Sequence, residues 1–313
     1  MMDFKYKVSF ILPTYNVSSY LEMCLESILA QSIDKEIIIV DDGSTDSSLT
    51  IALGYAARYS NIVVIHTTNR GVSAARNLGL RVAQGEFVMW IEPDDTLDSA
   101  LNLESIYQLA KQCNVSVIKG QFDNYTQNSP HIHYKNKPTN QTVIDNTACL
   151  QTLLEFYKNA LQSGWFIQIG CFLIKRAFLE KNNLHYEESL SVGEDGLFNI
   201  DLFSCDDQIL EVPYLFLNYR VHGQSVTGVK MSSTRLNATV HSLALIQKRM
   251  DDTENPELKR LMKLTLAIYR YFLHRDVELA DPELKEQFAH LITPELIEFY
   301  CSHGVQVNRK ELS

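Results

Sequence analysis

Residues 85–95 read GEFVMWIEPDD, in which an apolar run leads directly into three acidic side chains around a proline. We expect Phe87–Ile91 to be a β-strand, because a short apolar run that ends at turn residues is typical of a strand covered on both faces. Three earlier runs share this form: Val8–Leu12, Glu36–Val40 and Ile62–Ile65. Segments of helical period separate them, and this strict alternation predicts a mainly parallel sheet.

The segments between these strands carry helix signals. Ser19 is predicted to cap the first helix, with Glu22 three residues later completing a capping box. Ser73 is predicted to cap a later helix that continues through Ala83, and Gly85 is predicted to break it.

The second half of the chain follows a different pattern. The alternation fails after about residue 120, and Gln121–Asn146 is polar and is predicted to be rich in loops. Trp165–Ile174 and Gln208–Leu217 are the next predicted strands. From about Arg235 the pattern is helical, and three prolines occupy predicted helix starts: Pro256, Pro282 and Pro294.

Composition narrows the classes of function. The 313 residues include 28 Lys and Arg against 38 Asp and Glu, a formal charge of −10 that argues against a nucleic-acid partner. The six cysteines are far apart and form no C-x-x-C pair, as suits a reducing cytosol. We find no secretory signal and no run of the ~18 apolar residues that span a membrane, and therefore expect a soluble or peripheral protein.

Polar side chains follow each predicted strand in the first half, and parallel sheets bind ligands at that edge. They are Thr14, Tyr15 and Asn16, then Asp41 and Asp42, then Asn69 and Arg70, then Glu92, Asp94 and Asp95. The glycine-rich dinucleotide turn and the phosphate loop of ATPases are both missing after the first strand. Neither a dehydrogenase nor a P-loop ATPase is therefore indicated.

Carboxylates at one ligand edge repel one another, and repel a phosphate, unless a hard divalent cation lies between them. The residues therefore predict a site for a nucleotide diphosphate with Mg²⁺ or Mn²⁺, with Arg70 and Arg76 as phosphate partners. A structural interpretation is also open, because Asp42-Gly43-Ser44 can be a turn with a helix cap.

Four ordered motifs in this half resemble the signature of family 2 inverting glycosyltransferases with the GT-A fold. They are VSFILPTYN at 8–16, IIVDDGSTD at 38–46, NRGVSAARNLG at 69–79 and GEFVMWIEPDD at 85–95. The resemblance implies a Rossmann-like, mainly parallel sheet flanked by helices, and a nucleotide-sugar donor that is usually a UDP-sugar.

The resemblance also implies roles for individual residues. The family's D-x-D motif falls on Glu92-Pro93-Asp94, with Asp94 as metal ligand and Glu92, where aspartate is commoner, reaching the ribose or the metal. The other residues implied in donor binding are Pro13, Thr14 and Tyr15 near the nucleotide, Asp42 on the base or ribose, and Asn69, Arg76 and Asn77 in the same pocket.

Two later motifs extend the resemblance to about residue 228. Glu194-Asp195 looks like the family's E-D motif, in which the aspartate, here Asp195, is the catalytic base; a helix N-terminus carrying acids is the structural alternative. Residues 219–227 resemble the tail of the catalytic domain, in which Arg220 and His222 would close over the diphosphate as part of a mobile loop. Trp165 is a candidate for stacking on an acceptor sugar or for the core.

Five basic residues lie between Pro256 and Arg275 on a pattern of helical period. This segment is predicted either to pack on the catalytic domain or to lie on an anionic membrane surface. We expect a catalytic domain over residues 5–228, with a donor half at about 5–110 and an acceptor half at about 111–228, and a helical region over 229–313.

The expected function is metal-dependent inverting glycosyl transfer to an oligosaccharide or a lipid-linked glycan, in bacterial surface polysaccharide or lipooligosaccharide synthesis at the cytoplasmic face of the inner membrane. Two alternatives stay open. Glu92 in place of the motif's first aspartate suggests, as one alternative, a nucleotide-sugar-binding module without turnover. The acidic parallel-sheet site is also compatible with a sugar-phosphate nucleotidyltransferase.

Overall fold

The computed structural model describes residues 4–126, 129–132, 142–144, 148–162, 167–221 and 232–288. The chain divides into two compact units. The first comprises Met1–Leu153, Gln168–Glu188 and Cys205–His222, and the second comprises Leu154–Ile167, Ser189–Ser204 and Gly223–Ser313.

A mixed sheet forms the centre of the first unit. Its strands within the described ranges are β1 (Tyr6–Thr14), β2 (Lys35–Asp41), β3 (Ile62–His66), β4 (Gly85–Trp90), β5 (Thr96–Leu97), β6 (Val117–Thr126), β7 (Ser129–Ile132), β8 (Thr142–Ile144), β9 (Ala148–Thr152), β10 (Phe172–Lys175) and β11 (Gln208–Arg220). The order is β3-β2-β1-β4-β10-β6-β11-β9-β8. Strands β1 to β4 pair in parallel, which confirms the prediction, whereas β10 is antiparallel to both of its neighbours.

Helices alternate with the first four strands and continue to the end of the described chain. They are α1 (Leu21–Leu29), α2 (Ser48–Arg58), α3 (Val72–Val82), α4 (Leu103–Cys113), α5 (Leu153–Gln162), α6 (Arg176–Lys181), α7 (Glu194–Phe203), α8 (Ser233–Asp252), α9 (Pro256–Glu278) and α10 (Pro282–Phe288). A short 3₁₀ turn at Ile169–Cys171 precedes β10.

Strand β1 is buried on both faces, as its continuous apolar run predicts. Phe10 shares a core with Leu25 of α1, and both are fully buried. Ile11 points to the opposite face, where a Cβ at Gly79 of α3 would lie 2.3 Å from its Cγ2. Because Gly79 has no side chain, α3 approaches the sheet closely and carries its polar residues to the carboxyl edge of the strands.

The opposite edge of the parallel strands is fixed by one buried carboxylate. Glu36 Oε1 accepts hydrogen bonds from Ser9 Oγ at 2.6 Å, Gln84 N at 2.6 Å and Gly85 N at 3.1 Å. A Cβ at Gly85 would lie 2.6 Å from Ser9 N. The prediction that Gly85 breaks a helix is therefore wrong, because α3 already ends at Val82 and this glycine opens β4 where two backbones meet.

Both predicted serine caps are wrong. Helix α1 begins at Leu21, and the amides of Tyr20 and Leu21 donate to Val17 O, so that a backbone turn replaces the Ser19 cap. Helix α3 begins after Gly71, whose φ of +94° favours glycine. Ser73 is instead buried inside the helix.

The second half differs from its prediction in two places. Gln121–Asn146 was expected to be rich in loops, but its first residues continue β6, which pairs with β10 and β11 far away in sequence. In the predicted strand Trp165–Ile174, residues 163–166 lie outside the described residues, and the strand itself is only Phe172–Lys175. The predicted strand Gln208–Leu217 is confirmed and extends to Arg220.

The second unit contains almost all of α5 and the helices α7 to α10. The predicted helix starts at Pro256 and Pro282 are confirmed, and Asn255 caps α9 by accepting from two backbone amides. Leu236, Leu273 and Phe288 belong to one buried cluster of this unit. Pro294 and the predicted boundary at residue 228 lie outside the described residues. Across those residues, no helix is both long enough and apolar enough to cross a bilayer.

Candidate active site

Asp42 follows β2 and joins three chain segments at the carboxyl edge of the sheet. Its Oδ1 accepts from Arg70 N at 2.8 Å and its Oδ2 from Gly71 N at 2.7 Å, while its own amide donates to Thr14 O at 2.8 Å. The carboxylate is buried and is engaged in holding the loop before α3. Asp42 thus sets the shape of this edge through backbone contacts.

Asp41 is buried beside it and has a different set of contacts. Its Oδ2 lies 2.7 Å from His66 Nδ1 and accepts from Ser44 N at 3.3 Å. Its Oδ1 is buried and has no hydrogen-bond partner among the described residues. Sequence reasoning placed Asp41 at this edge but gave no sign of His66 as its partner.

The loop after β1 is tied to the loop before α2. Asn16 Oδ1 accepts from Thr45 N at 2.8 Å, and Asp46 accepts from Ser18 N and Ser48 N, each at 2.9 Å. Partial burial works against ionisation, but these hydrogen bonds lower the pKa of Asp46 to about 2. The loop is therefore fixed directly after its predicted ligand residues Pro13, Thr14 and Tyr15.

The predicted nucleotide residues on this loop divide into buried and exposed members. Pro13 and Thr14 are buried at the end of β1, and Thr14 Oγ1 donates to Leu12 O at 3.1 Å. Tyr15 is 48% exposed, and Asn69 is also exposed. Tyr15 can therefore present its ring to a planar ligand, whereas Pro13 and Thr14 support the loop from below.

Helix α3 carries Arg76 and Asn77, which are both buried. Arg76 Nη2 donates to Glu92 Oε1 at 2.6 Å, and its guanidinium lies 4.6 Å from the centre of the Tyr186 ring. Asn77 Nδ2 donates to Tyr186 O at 2.9 Å and to Glu188 Oε1 at 3.1 Å. The predicted donor residues Arg76 and Asn77 thus both contact Tyr186, which the sequence analysis did not identify.

Glu188 also accepts from Arg70 Nη2 at 3.0 Å. One side chain therefore contacts the loop before α3 and the helix itself. No local signal identifies Tyr186 or Glu188, because their partners are more than 100 positions away in the chain.

The β4 turn, which we define as Glu92–Asp95, is the most acidic part of the first unit's site. Arg220 clamps it: Arg220 N donates to Asp95 Oδ1 at 2.8 Å and its Nε donates to Asp94 O at 2.9 Å. The guanidinium also lies 5.0 Å from the centre of the Tyr20 ring. Arg220 is the last residue of β11 and is buried, so the prediction that it lies in a mobile loop is wrong.

Burial and the neighbouring charge of Asp94 raise the pKa of Asp95 well above its usual range, with a smaller contribution from Glu92. Burial raises the pKa of the nearby Cys24 thiol, and the charges of Asp95, Asp94 and Glu92 raise it further. Asp95 Oδ2 is buried and has no hydrogen-bond partner within the described chain. The β4 turn therefore concentrates negative charge where a cation would relieve it.

The acids of the β4 turn do not by themselves form a complete metal-binding site. No group of three or more His, Cys, Asp or Glu side chains is arranged to hold a metal ion in the parts of the chain that the structure describes. Glu92 is engaged with Arg76, Pro93 is buried, and Asp94 is partly exposed. Oxygen ligands from a bound diphosphate would therefore have to complete the coordination of a cation at Asp94.

The second unit holds the other predicted acids. Glu194 and Asp195 lie in the first turn of α7, directly after Gly193, whose φ is +81°. We call Gly193–Gly196 the α7 turn. Asp195 and Glu194 are both partly exposed. His222 and Trp165, the remaining predicted site residues, lie outside the described residues.

Residues 9–182 match the family model described as glycosyl transferase family 2. The chain belongs to this family. Its relatives include the uncharacterized glycosyltransferase EpsJ of Bacillus subtilis, 31% identical over 71% of this chain and 63% of EpsJ. The cholesterol galactosyltransferase of Borreliella burgdorferi is 32% identical over 86% of this chain and 75% of that protein. The chain therefore spans less than two thirds of the length of EpsJ.

Solved structures support the GT-A architecture of this family 2 chain. S. aureus TarS 1–349 aligns with a TM-score of 0.67 at 21% identity, over 91% of this chain and 78% of that one. The same TarS fragment has been solved in complex with UDP and in complex with UDP-GlcNAc. At this level of identity the likeness concerns the fold.

Proposed function

We propose that this family 2 protein transfers a sugar from a nucleotide-sugar donor, a UDP-sugar, to a glycan or a lipid-linked glycan, with inversion at the anomeric carbon. The observation that carries the proposal is the β4 turn at the ligand-binding edge of a parallel sheet, where Arg76 holds the Glu92 side chain and Arg220 holds Asp94 by its backbone carbonyl and Asp95 by its carboxylate. The UDP complexes of TarS support the choice of UDP as the first nucleotide to test.

The donor nucleotide is proposed to lie on the first unit, across the carboxyl ends of β1, β2 and β4. Tyr15 offers an exposed ring to the base, and the loops that Asp42 and Asn16 fix supply a preformed rim. Mn²⁺ or Mg²⁺ is the proposed cofactor, with Asp94 as its protein ligand, and it would neutralise charge on the diphosphate leaving group.

Arg76 is proposed to stabilise the negative charge of the diphosphate leaving group, because its buried guanidinium is already oriented by Glu92 and by the Tyr186 ring. Glu92 is therefore assigned to orienting Arg76.

The proposed base is Asp195. It takes the proton of the acceptor hydroxyl while that oxygen forms a bond to the anomeric carbon, and the bond from this carbon to the diphosphate oxygen breaks as UDP leaves. A single displacement of this kind inverts the configuration. The α7 turn places the carboxylate at a helix N-terminus, where the helix dipole stabilises its charged form.

The proposed setting is surface-glycan synthesis at the cytoplasmic face of a bacterial inner membrane. Helix α9 buries Leu261 and Met262 and exposes a basic set together with Phe272, so we propose that any membrane contact is mainly electrostatic. The exposed basic residues are Lys259, Arg260, Lys263, Arg270 and Arg275. Binding to anionic vesicles at low salt that disappears at high salt would support this contact, and no binding at low salt would contradict it.

The test of the donor site is thermal stability with UDP, GDP or TDP, each with and without Mn²⁺. A ligand at about 100 times its Kd adds about 2.7 kcal/mol of stability. We expect a metal-dependent response to UDP that Asp94→Asn abolishes. The control is Asp34→Asn, which makes the same charge change at an exposed site on the opposite edge of the sheet.

Activity assays separate the alternatives. Release of UDP from a UDP-sugar with an acceptor supports transfer, whereas a UDP response without turnover in any acceptor screen indicates a binding module. Consumption of a nucleoside triphosphate with release of pyrophosphate indicates a nucleotidyltransferase. No response to any nucleotide in the wild-type protein contradicts the proposed donor site.

A further inference from the structure

The α7 turn rests on the hydroxyl end of a tyrosine that the proposed function does not yet use. A Cβ at Gly196 would lie 1.4 Å from Tyr269 Oη and 2.6 Å from its Cζ. A Cβ at Gly193 would lie 3.3 Å from Tyr269 Cε1. The backbone on both sides of Glu194 and Asp195 therefore touches the ring or hydroxyl of this one side chain, and only glycine leaves room for it.

A second hydroxyl fixes the same turn from α8. Ser242 is fully buried, and its Oγ lies 2.7 Å from Val192 O and 3.0 Å from Ala238 O, both of which can accept its proton. A Cβ at Gly193 would lie 2.7 Å from this oxygen. Helices α8 and α9 therefore both meet the chain at the entry to α7.

The part of α9 that carries Tyr269 is joined to α5. One turn earlier on α9, Thr265 shares a short hydrogen bond with Tyr157 of α5, and both side chains are buried. Burial raises the pKa of the Tyr269 hydroxyl, and the charges of Asp195 and Glu194 raise it further. The hydroxyl is therefore protonated at neutral pH and lies within electrostatic reach of both carboxylates.

We infer that Tyr269 is a positioning residue for Asp195: its ring and hydroxyl form the surface against which the glycines of the α7 turn are packed, so that the helices after residue 232 fix the orientation of the proposed base. This inference rests on the proposed function for the role of Asp195, but the packing that it describes can be tested without turnover. A base displaced by about 1 Å can lose up to about a hundredfold in rate.

The test compares Tyr269→Phe with Tyr271→Phe, which removes a hydroxyl from the same helix two residues later. The first measurement is hydrogen exchange of backbone amides in the peptide covering residues 190–200. We expect roughly tenfold faster exchange in Tyr269→Phe and wild-type exchange in Tyr271→Phe, since removing one atom from a packed contact favours local opening by about that factor.

The second measurement is kinetic and uses UDP release from a UDP-sugar that the wild-type protein turns over. Tyr269→Phe should lower kcat by roughly tenfold to a hundredfold with an unchanged KM for the donor and an unchanged response to UDP in thermal melts. Gly196→Ala, which forces the Tyr269 hydroxyl away, should lower kcat at least as much.

Unchanged exchange in Tyr269→Phe, or wild-type kcat in that variant, overturns the inference. An equal change in Tyr271→Phe also overturns it, because the effect would then belong to the helix in general. If the wild-type protein turns over no donor, the proposed function fails, whereas the exchange experiment still decides whether Tyr269 anchors the α7 turn.

Discussion

The two acidic turns of this protein are held by opposite means. In the β4 turn, guanidinium groups of Arg76 and Arg220 contact the acids or the backbone between them. In the α7 turn, glycine backbone packs against the neutral side chains of Ser242 and Tyr269. The first arrangement places positive charge next to several carboxylates in a buried turn. The second packs neutral side chains against the backbone that carries Glu194 and Asp195.

This difference between the two turns agrees with their proposed roles, which are binding of the donor diphosphate at the β4 turn and general-base catalysis at the α7 turn. Carboxylates that stay ionised beside a diphosphate and a cation need positive charge near them. A general base must accept a proton during the reaction, and a neutral contact that positions it does not oppose that change in charge. The first three of the following variants test whether charge holds the first turn and packing holds the second, and the fourth, Asp46→Asn, measures an exposed charged contact outside both turns.

Arg220→Met should have the largest effect. It removes the hydrogen bond from Arg220 Nε to Asp94 O and the positive charge that works to lower the pKa of Asp95, and a hydrogen bond made by a charged group contributes about 2 to 3 kcal/mol to the free energy of unfolding. Urea unfolding measures this loss, and Arg220→Lys should recover part of it. An unchanged unfolding midpoint in Arg220→Met would contradict charge as the means of holding this turn.

The loss in Arg220→Met should also depend on pH. Burial and Asp94 raise the pKa of Asp95, so a penalty on the folded state builds up as pH rises from the ordinary carboxyl range to that raised pKa. The difference from wild type should therefore be largest above the raised pKa of Asp95 and should shrink as the pH falls toward the ordinary carboxyl range, about 4. A constant difference over this pH titration would show that Asp95 does not contribute to it.

Glu92→Gln should have an intermediate effect. Glutamine keeps the length needed to reach Arg76 but loses the charge, and a charged hydrogen bond with one buried partner contributes about 1.5 kcal/mol. We expect a matching loss in urea unfolding and weaker UDP binding. Glu92→Asp is the matched control, because aspartate keeps the charge but has a shorter side chain. A smaller loss of unfolding free energy in Glu92→Asp than in Glu92→Gln would mean that charge matters more than side-chain length.

Ser242→Ala should lower the free energy of unfolding by about 1 kcal/mol, since it removes one neutral, buried hydrogen bond to Val192 O or Ala238 O. Unlike Arg220→Met, this loss should be the same near about pH 5 and about pH 8, because neither partner titrates there. Parallel denaturation curves at both pH values test this. A marked pH dependence would show that the α7 turn also relies on charge.

Asp46→Asn should have the smallest effect. Asp46 is exposed, so the hydrogen bonds that lower its pKa to about 2 are screened by solvent and contribute under about 1 kcal/mol. Because that pKa is depressed, the contribution is present near neutral pH and is lost as pH falls to about 2. Acid titration of both proteins should therefore bring their stabilities together.

Much of the donor half can be predicted from the sequence because its signals are local. The apolar run of β4 and the acids that follow it are contiguous, and the strand and turn lie where the pattern predicts. The caps are different: Asp42 binds the amides of Arg70 and Gly71, so a residue 28 positions away determines where α3 begins. The local sequence pattern predicts Ser73 as the helix cap, but Ser73 already lies inside α3, which begins at Val72.

The partners of the candidate site residues are mostly beyond sequence reasoning. The motif around Arg220 predicts a donor residue, but its contact with Asp94 depends on β11 pairing with β5 and β6. The helical period of α9 predicts that Tyr269 is one of its apolar positions but does not predict its contact with the α7 turn. The contacts of these site residues depend on strand pairing between distant parts of the chain and on the space that glycines leave, neither of which composition specifies.

Strand β10 has a consequence for synthesis on the ribosome. It lies between β4 and β6 in the sheet but follows both in the chain, and only residues 172–175 fill that place. A nascent chain that has emerged only as far as residue 171 presents the apolar edge of β4 without its neighbour, and such an open edge promotes aggregation. The sheet can close only after the chain beyond Lys175 leaves the exit tunnel, so truncations ending before that point should be recovered as insoluble material.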